Sequence, residues 1–114
     1  MNIIQNEFFN SQFEKLRKRF PKILSDFDIF VKNIEIEPFS KLWNWLYKYR
    51  IKNSSIPTWK RSGFRIIILH LDDNNIIIPI FIYSKNEIEN KSSKEIINAK
   101  NIILKELMSK KNKS

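Results

Sequence analysis

The chain has 114 residues, with 21 Lys and Arg against 12 Asp and Glu, no cysteine, one histidine (His70) and one glycine (Gly63). This length suits a single domain, and the composition excludes disulfide scaffolds, thiolate or multi-histidine metal sites and glycine-rich phosphate loops. We therefore expect no metal or organic cofactor. The formal net charge of +9 is typical of proteins that bind a polyanion, such as nucleic acid or an acidic protein.

The apolar residues are spread in a way that predicts a globular protein. No stretch reaches the roughly 18 consecutive apolar residues of a membrane span. The opening residues carry Glu7 and lack both the positively charged start and the small-residue cleavage site of a signal peptide. We therefore expect a cytoplasmic protein with no membrane partner. Hydrophobic residues make up 42% of the chain, including nine Phe and three Trp, which is enough to fill a core.

The first third of the chain predicts a short strand over 2–5 and then two helices. Apolar residues recur at spacings of four, three and four, which predicts a helix that Pro21 interrupts; they are Phe9, Phe13, Leu16 and Phe20. A second amphipathic helix is predicted over 23–34, with Pro38 beyond its end. Two helices joined at Pro21 indicate an antiparallel hairpin with one shared apolar side.

The middle of the chain predicts strands. Cations alternate with apolar residues over 47–52, which puts the cations on one strand face; they are Lys48, Arg50 and Lys52. The nearly apolar runs 64–71 and 76–83 flank a polar tetrapeptide and predict a hairpin of two buried strands. Ser92–Glu95 has capping-box spacing and begins a last helix.

The predicted fold class is α+β. Its elements are a short N-terminal strand, a helical hairpin, a three-stranded antiparallel sheet and a C-terminal helix. They form one domain over residues 1–109, followed by a flexible basic tail at 110–114.

The position of the positive charge is more informative than its sum. The segment from Pro38 to Leu71 contains seven cations and no acidic residue. Because alternate residues of a strand share a face, we expect a cationic sheet surface with a loop tryptophan at its rim. The strands contribute Lys48, Arg50, Lys52 and Arg65, and the loop contributes Trp59, Lys60 and Arg61. Cations for phosphates and an indole for base stacking suit RNA binding; the alternative is a solvated strand face.

Few other side chains offer acid–base chemistry. In strand phase His70 falls with Phe64 and opposite Arg65, so we expect a core residue rather than a catalytic base. Tyr83 and Lys85 share a face at the end of the third strand. They are candidates to contact RNA or a phosphate, and the alternative for the pair is a packed tyrosine beside a solvated lysine.

Three segments of the chain resemble, in order and spacing, the RelE/HigB branch of the RelE/ParE superfamily of bacterial toxins. They are Tyr47-Lys48-Tyr49-Arg50-Ile51-Lys52, Lys60-Arg61-Ser62-Gly63-Phe64-Arg65-Ile66-Ile67, and Ile82-Tyr83-Ser84-Lys85-Asn86-Glu87 with Ser92–Glu95 behind it. The resemblance covers about residues 1–107, including the N-terminal strand and helical hairpin. The fold that it implies is the RelE-like one.

The resemblance implies a toxin that cuts translated mRNA in the ribosomal A site without a metal, and that a cognate antitoxin neutralises. The family's basic motif positions correspond to Arg50, Lys60, Arg65 and Lys85. We expect an acidic antitoxin segment to cover the Lys48, Arg50 and Lys52 face or to displace the helix Ser93–Met108 from it. Two other interpretations stay open: a ParE-like gyrase inhibitor, and a non-catalytic RNA-binding or decayed toxin.

RNA can be cut without a metal when its own 2′-hydroxyl attacks the adjacent phosphate. Arg65, with Arg50 beside it, is the first candidate to stabilise the negative charge that develops at phosphorus. A lysine can accept the 2′ proton only if crowded cations lower its pKa from about 10.4. The candidates, which the sequence does not rank, are Lys48, Lys52 and Lys60. Lys85 or Tyr83 is expected to protonate the leaving oxygen or to orient the phosphate.

Overall fold

The computed structural model describes residues 2–37, 40–43, 45–57, 63–71, 75–85 and 91–112. Its elements are β1 (Asn2–Ile3), α1 (Glu7–Arg19), α2 (Ile23–Asn33), β2 (Lys41–Trp43), β3 (Leu46–Ile51), β4 (Phe64–Leu71), β5 (Ile76–Ser84) and α3 (Ser93–Asn112). The predicted α+β class is confirmed, as are the two N-terminal helices, the three longer strands and the last helix.

The strands form one five-stranded mixed sheet in the order β1-β5-β4-β3-β2. β1 pairs in parallel with β5, and the other three pairs are antiparallel. The predicted three-stranded antiparallel sheet was therefore too small, since its strands are the centre of a larger sheet. With two and three residues, β1 and β2 are too short to carry a periodic pattern that reveals their pairing.

The helical hairpin covers one face of this sheet. Asn6 precedes α1, and its side-chain oxygen accepts a hydrogen bond of 2.8 Å from the Phe9 N–H and so caps the helix. The Asn6 amide also donates to the Pro79 carbonyl at 2.8 Å, which ties the start of the helix to β5. Phe9 and Phe27 pack against each other above the sheet, with ring centroids 5.8 Å apart.

α3 covers the opposite face. Its residues Ile96, Ala99 and Ile103 are at most 4% exposed and pack on the strands. β4 and β5 are thus buried on both faces, as their apolar runs predicted. The helix continues to Asn112, past its predicted end at Met108, because lysines are good helix formers and cations are favourable near a helix C-terminus. Across the described ranges, no helix is long and apolar enough to cross a membrane.

The outer edge of β5 beyond β1 is covered by α1 rather than by another strand. The Gln12 side chain donates to the Ile80 carbonyl at 2.9 Å and accepts from the Ile82 N–H at 3.2 Å. One glutamine amide thereby replaces a neighbouring strand. Pro79 lies where the register between β4 and β5 shifts, a position that tolerates a residue without an N–H.

Candidate functional site

The sheet register brings several predicted residues into one row. Arg50 on β3 pairs with Arg65 on β4, and Arg65 pairs with Tyr83 on β5. Cross-strand partners share a face, and Lys48 lies on the same face two residues before Arg50. The buried neighbours of this row belong to the α3 side of the sheet. The predicted cationic surface is therefore on the α3 side, near the end of β3 and the start of β4.

Lys48 is a half-buried cation of this surface. Burial lowers the pKa of its ammonium below the ordinary 10.5, and the charges of Lys85 and then Arg65 lower it further. Lys85 and Arg65 are therefore both close enough to act on Lys48 electrostatically, and we refer to these three residues as the basic cluster. A lowered pKa raises the neutral fraction of an amine at a given pH, which is the property that a proton acceptor needs.

Gly63 lies where the ends of three strands meet. Its φ of +77° is left-handed, a conformation that glycine adopts at little cost. A Cβ at this position would stand 2.6 Å from the Ile51 carbonyl oxygen and 3.4 Å from Arg50 Nε. The Gly63 carbonyl accepts a hydrogen bond of 3.1 Å from the Lys85 N–H. This glycine therefore positions Arg50, Arg65 and Lys85 relative to one another.

The variant Gly63→Ala is expected to destabilise the protein by about 2–3 kcal/mol. Left-handed backbone costs a residue with a Cβ roughly 1–2 kcal/mol, and the contact with the Ile51 carbonyl adds to that cost. Urea unfolding measures the change. The matched control is Asn75→Gly, at a turn residue with φ of 52°, which is expected to keep the stability of the wild type or to raise it slightly. Equal stability of Gly63→Ala and wild type would contradict the structural role of Gly63 where the three strands meet.

Lys91 joins the surface from the start of α3, and the sequence analysis did not single it out. Its Nζ lies 5.0 Å from the ring centroid of Phe81 and 5.8 Å from that of Tyr83, within the range of cation–π attraction. Glu95 pairs with it at 3.8 Å. The only local signal is that Lys91 precedes Ser92, whose hydroxyl accepts from the Glu95 N–H at 3.2 Å; its place over β5 depends on tertiary packing.

Tyr83 is a buried residue, with 2% of its surface exposed. Burial raises the pKa of its phenol, while the Lys91 backbone N–H and the Arg65 charge act in the opposite direction. The Lys91 ammonium lies over its ring. In this conformation Tyr83 supports Lys91 and presents little ring surface to a nucleobase.

Two other predicted residues within the described ranges, Arg50 and Lys52, lie toward a separate cavity. Lys52 lies beyond the end of β3 and is exposed. With Arg50 it lines a cavity of about 320 Å³ between α2 and β3, which also has carboxylates from Asp26, Glu35 and Glu37. Arg50 therefore lies at the border between the basic cluster and this cavity. Trp59, Lys60 and Arg61 lie outside the described residues.

The chain leaving β3 is fixed by α2. Asp26, which is 6% exposed, accepts hydrogen bonds from the Ser54 N–H at 2.9 Å and from the Ser54 hydroxyl at 2.7 Å. The Ser55 hydroxyl accepts from the Lys22 N–H at 2.9 Å. These contacts hold the first residues of the β3–β4 connection against the helical hairpin.

His70 is a core residue, as predicted. It is 7% exposed, its ring meets that of Tyr47 edge-on at 6.1 Å, and its backbone N–H donates to the Trp45 carbonyl at 2.8 Å. It lies on the sheet face opposite Arg65. The imidazole is therefore separated from the basic cluster by the sheet itself.

Neither a scan against protein-family models nor a search of curated proteins finds a match to this chain. Function depends more directly on the chemistry of a site than on the fold that carries it.

Proposed function

We propose that the protein is the toxin of a type II toxin–antitoxin module, and that it cuts translated mRNA at the basic cluster, on the ribosome and without a metal. The observation that carries the proposal is the convergence of Lys48, Arg65 and Lys85 on one sheet face, with the pKa of Lys48 lowered by burial and by the other two. The resemblance of the surrounding motifs to RelE/HigB toxins supports the same reaction.

In this mechanism the neutral amine of Lys48 accepts the proton of the RNA 2′-hydroxyl. The 2′ oxygen attacks the adjacent phosphorus, and a 2′,3′-cyclic phosphate forms as the bond to the 5′ oxygen breaks. Arg65 donates to the non-bridging oxygens, where negative charge develops. Lys85, as an ammonium, gives a proton to the departing 5′ oxygen, so one proton is taken up and one is released.

The residues around the basic cluster bind the RNA in this proposal. Arg50, opposite Arg65 in the ladder, contacts a neighbouring phosphate. Lys52, Trp59, Lys60 and Arg61, which follow β3 in the sequence, are proposed to contact the RNA as well. The cations of the acid-free segment other than Lys48 and Arg65 then serve as phosphate contacts that position the strand.

The same surface is proposed to bind an acidic segment of the cognate antitoxin. Displacing α3 would expose Ile96 and Ile103, which are 4% and 1% exposed, and each buried isoleucine is worth about 1.5–3 kcal/mol. Covering Lys48 and Arg50 on the face of β3 requires no such loss. We therefore favour covering over displacement.

The proposal is tested by the chemistry of the product ends. Incubating the purified protein with mRNA-programmed ribosomes is expected to yield fragments with 5′-hydroxyl and 2′,3′-cyclic phosphate ends. The variant Lys32→Met loses one positive charge at an exposed position of α2, away from the basic cluster. It is expected to cut normally. Fragments with 5′-phosphate ends would contradict the mechanism, and tight RNA binding without cleavage would favour the non-catalytic alternative.

A further inference from the structure

A second basic site lies at the outer edge of β5. A cavity of about 240 Å³ opens between α1 and the end of β5. Three cations, Lys15, Arg19 and Lys91, are among its described lining residues, and none of these residues is acidic. Two other cavities, of about 320 Å³ each, are both lined in part by carboxylates. Of these three cavities, this one has described lining residues that include cations and no carboxylate, so it is the one suited to bind an anion.

The cations from α1 are held toward this edge by Gln12. Its amide bonds to the Ile80 carbonyl and the Ile82 N–H, which fixes the rotation of the helix about its axis. Lys15 and Arg19 follow Gln12 by three and seven residues, so they lie on the same helix face. The Arg19 guanidinium also lies 5.3 Å from the ring centroid of Phe20.

The strand supplies a backbone donor to the same cavity. The N–H groups of alternate residues in a strand point in the same direction. The Ile82 N–H points away from β4 and toward Gln12 at the outer edge. The Ser84 N–H therefore points toward the same edge. Ser84 lines the cavity. A backbone N–H among lysine and arginine side chains is a donor set that suits the oxygens of a phosphate.

The cavity lies next to the basic cluster, because Tyr83 and Lys91 both line it. Tyr83, over whose ring Lys91 lies, is the cross-strand partner of Arg65. Neighbouring strands are about 4.8 Å apart, so the cavity begins one strand beyond Arg65. Glu95 pairs with Lys91 from α3 at 3.8 Å, and its side chain is 55% exposed. Cations therefore follow one another from β4 over β5 to α1, across the strands rather than along them.

We propose that this cavity binds a phosphate group of the RNA strand that is cut at the basic cluster. Lys15, Arg19 and Lys91 contact its oxygens together with the Ser84 N–H. The identity of the ligand as RNA rests on the proposed function, whereas the affinity of the cavity for phosphate does not.

The first test removes two cations from the cavity. In the double variant Lys15→Gln/Arg19→Gln, the affinity for a labelled single-stranded oligoribonucleotide is expected to fall by about tenfold or more. The slope of the logarithm of the binding constant against the logarithm of the salt concentration is expected to fall in magnitude by up to about 1.4. The matched control is Arg17→Gln with Lys18→Gln, which removes the same charge from exposed positions of α1 and is expected to weaken binding less than about threefold. Equal losses in the two pairs would overturn the proposal.

The second test uses inorganic pyrophosphate and needs no RNA. In NMR titration of the wild type, the amide signals of Ser84 and Lys91 are expected to shift, and the shifts are expected to be lost in Lys15→Gln with Arg19→Gln. If the wild type cuts no RNA but these shifts occur, the proposed function fails and the phosphate site stands. If RNA is cut but these amides do not respond, the phosphate site is overturned and the proposed function stands.

Discussion

Replacing Lys48 by methionine is expected to slow mRNA cleavage by about 10²–10⁴-fold, the range for loss of a general acid or base. Methionine keeps an unbranched stem and removes the ammonium. Because burial, Lys85 and Arg65 all disfavour the charge at Lys48, the variant is expected to be at least as stable as the wild type. Single-turnover cleavage and thermal unfolding, measured on the same preparation, separate the two effects.

The matched control for this prediction is Lys52→Met, which removes an exposed lysine beyond β3 and is expected to change the rate much less. The pH dependence is a second check. Cleavage by the wild type is expected to rise with pH up to the lowered pKa of Lys48 and to level off below 10.5. Full activity of Lys48→Met, or a pH profile that this variant shares with the wild type, would contradict the role of Lys48.

The same pKa shift predicts how stability depends on pH. In the folded protein Lys48 loses its proton at a lower pH than in the unfolded chain, whose value is near 10.5. Between the two pKa values the unfolded chain binds more protons, so this group makes stability rise with pH there. Lys48→Met is expected to lack that rise.

The variant Arg65→Ala is expected to lose at least about 2 kcal/mol of transition-state stabilisation, roughly a 30-fold fall in rate. The guanidinium presents a fixed set of donors to a phosphate, which alanine removes. Single-turnover cleavage on programmed ribosomes measures the loss. Arg65→Lys keeps the charge without the planar geometry and is expected to retain an intermediate rate.

Urea unfolding of Arg65→Ala is the necessary control, because Arg65 is half-buried and its Nη1 lies 3.4 Å from the Phe64 carbonyl. Stability within about 0.5 kcal/mol of the wild type, the usual range for a surface substitution, supports a catalytic role. A loss of stability as large as the loss of transition-state stabilisation would contradict it.

The central elements of the fold were predictable because local sequence patterns determine them. β4 and β5 are long apolar runs, and α1 and α2 carry clear helical spacing. The sheet edges were not predictable in the same way. β1 pairs with β5 across more than seventy residues of chain, and β2 has only three residues, so tertiary packing rather than local pattern determines both.

The candidate site was predictable in part. Alternation along β3 and the position of Arg65 placed Lys48 and Arg65 on one face. The participation of Lys85 required the register of β5, which shifts near Pro79, and that of Lys91 required the course of α3 over Phe81. Ranking Lys48 above Lys52 as a base required knowing that Lys48 is half-buried and Lys52 is exposed.

The most direct test of mRNA cleavage by the basic cluster is to map the 5′ ends of cellular mRNAs after brief induction of the wild type and of Arg65→Ala. The wild type is predicted to arrest growth and to create new 5′-hydroxyl ends within translated regions, which disappear when translation is blocked. Arg65→Ala is predicted to create few or none. Growth arrest by the wild type with intact messages would contradict the account, and accumulation of gyrase–DNA complexes in those cells would identify a ParE-like inhibitor instead.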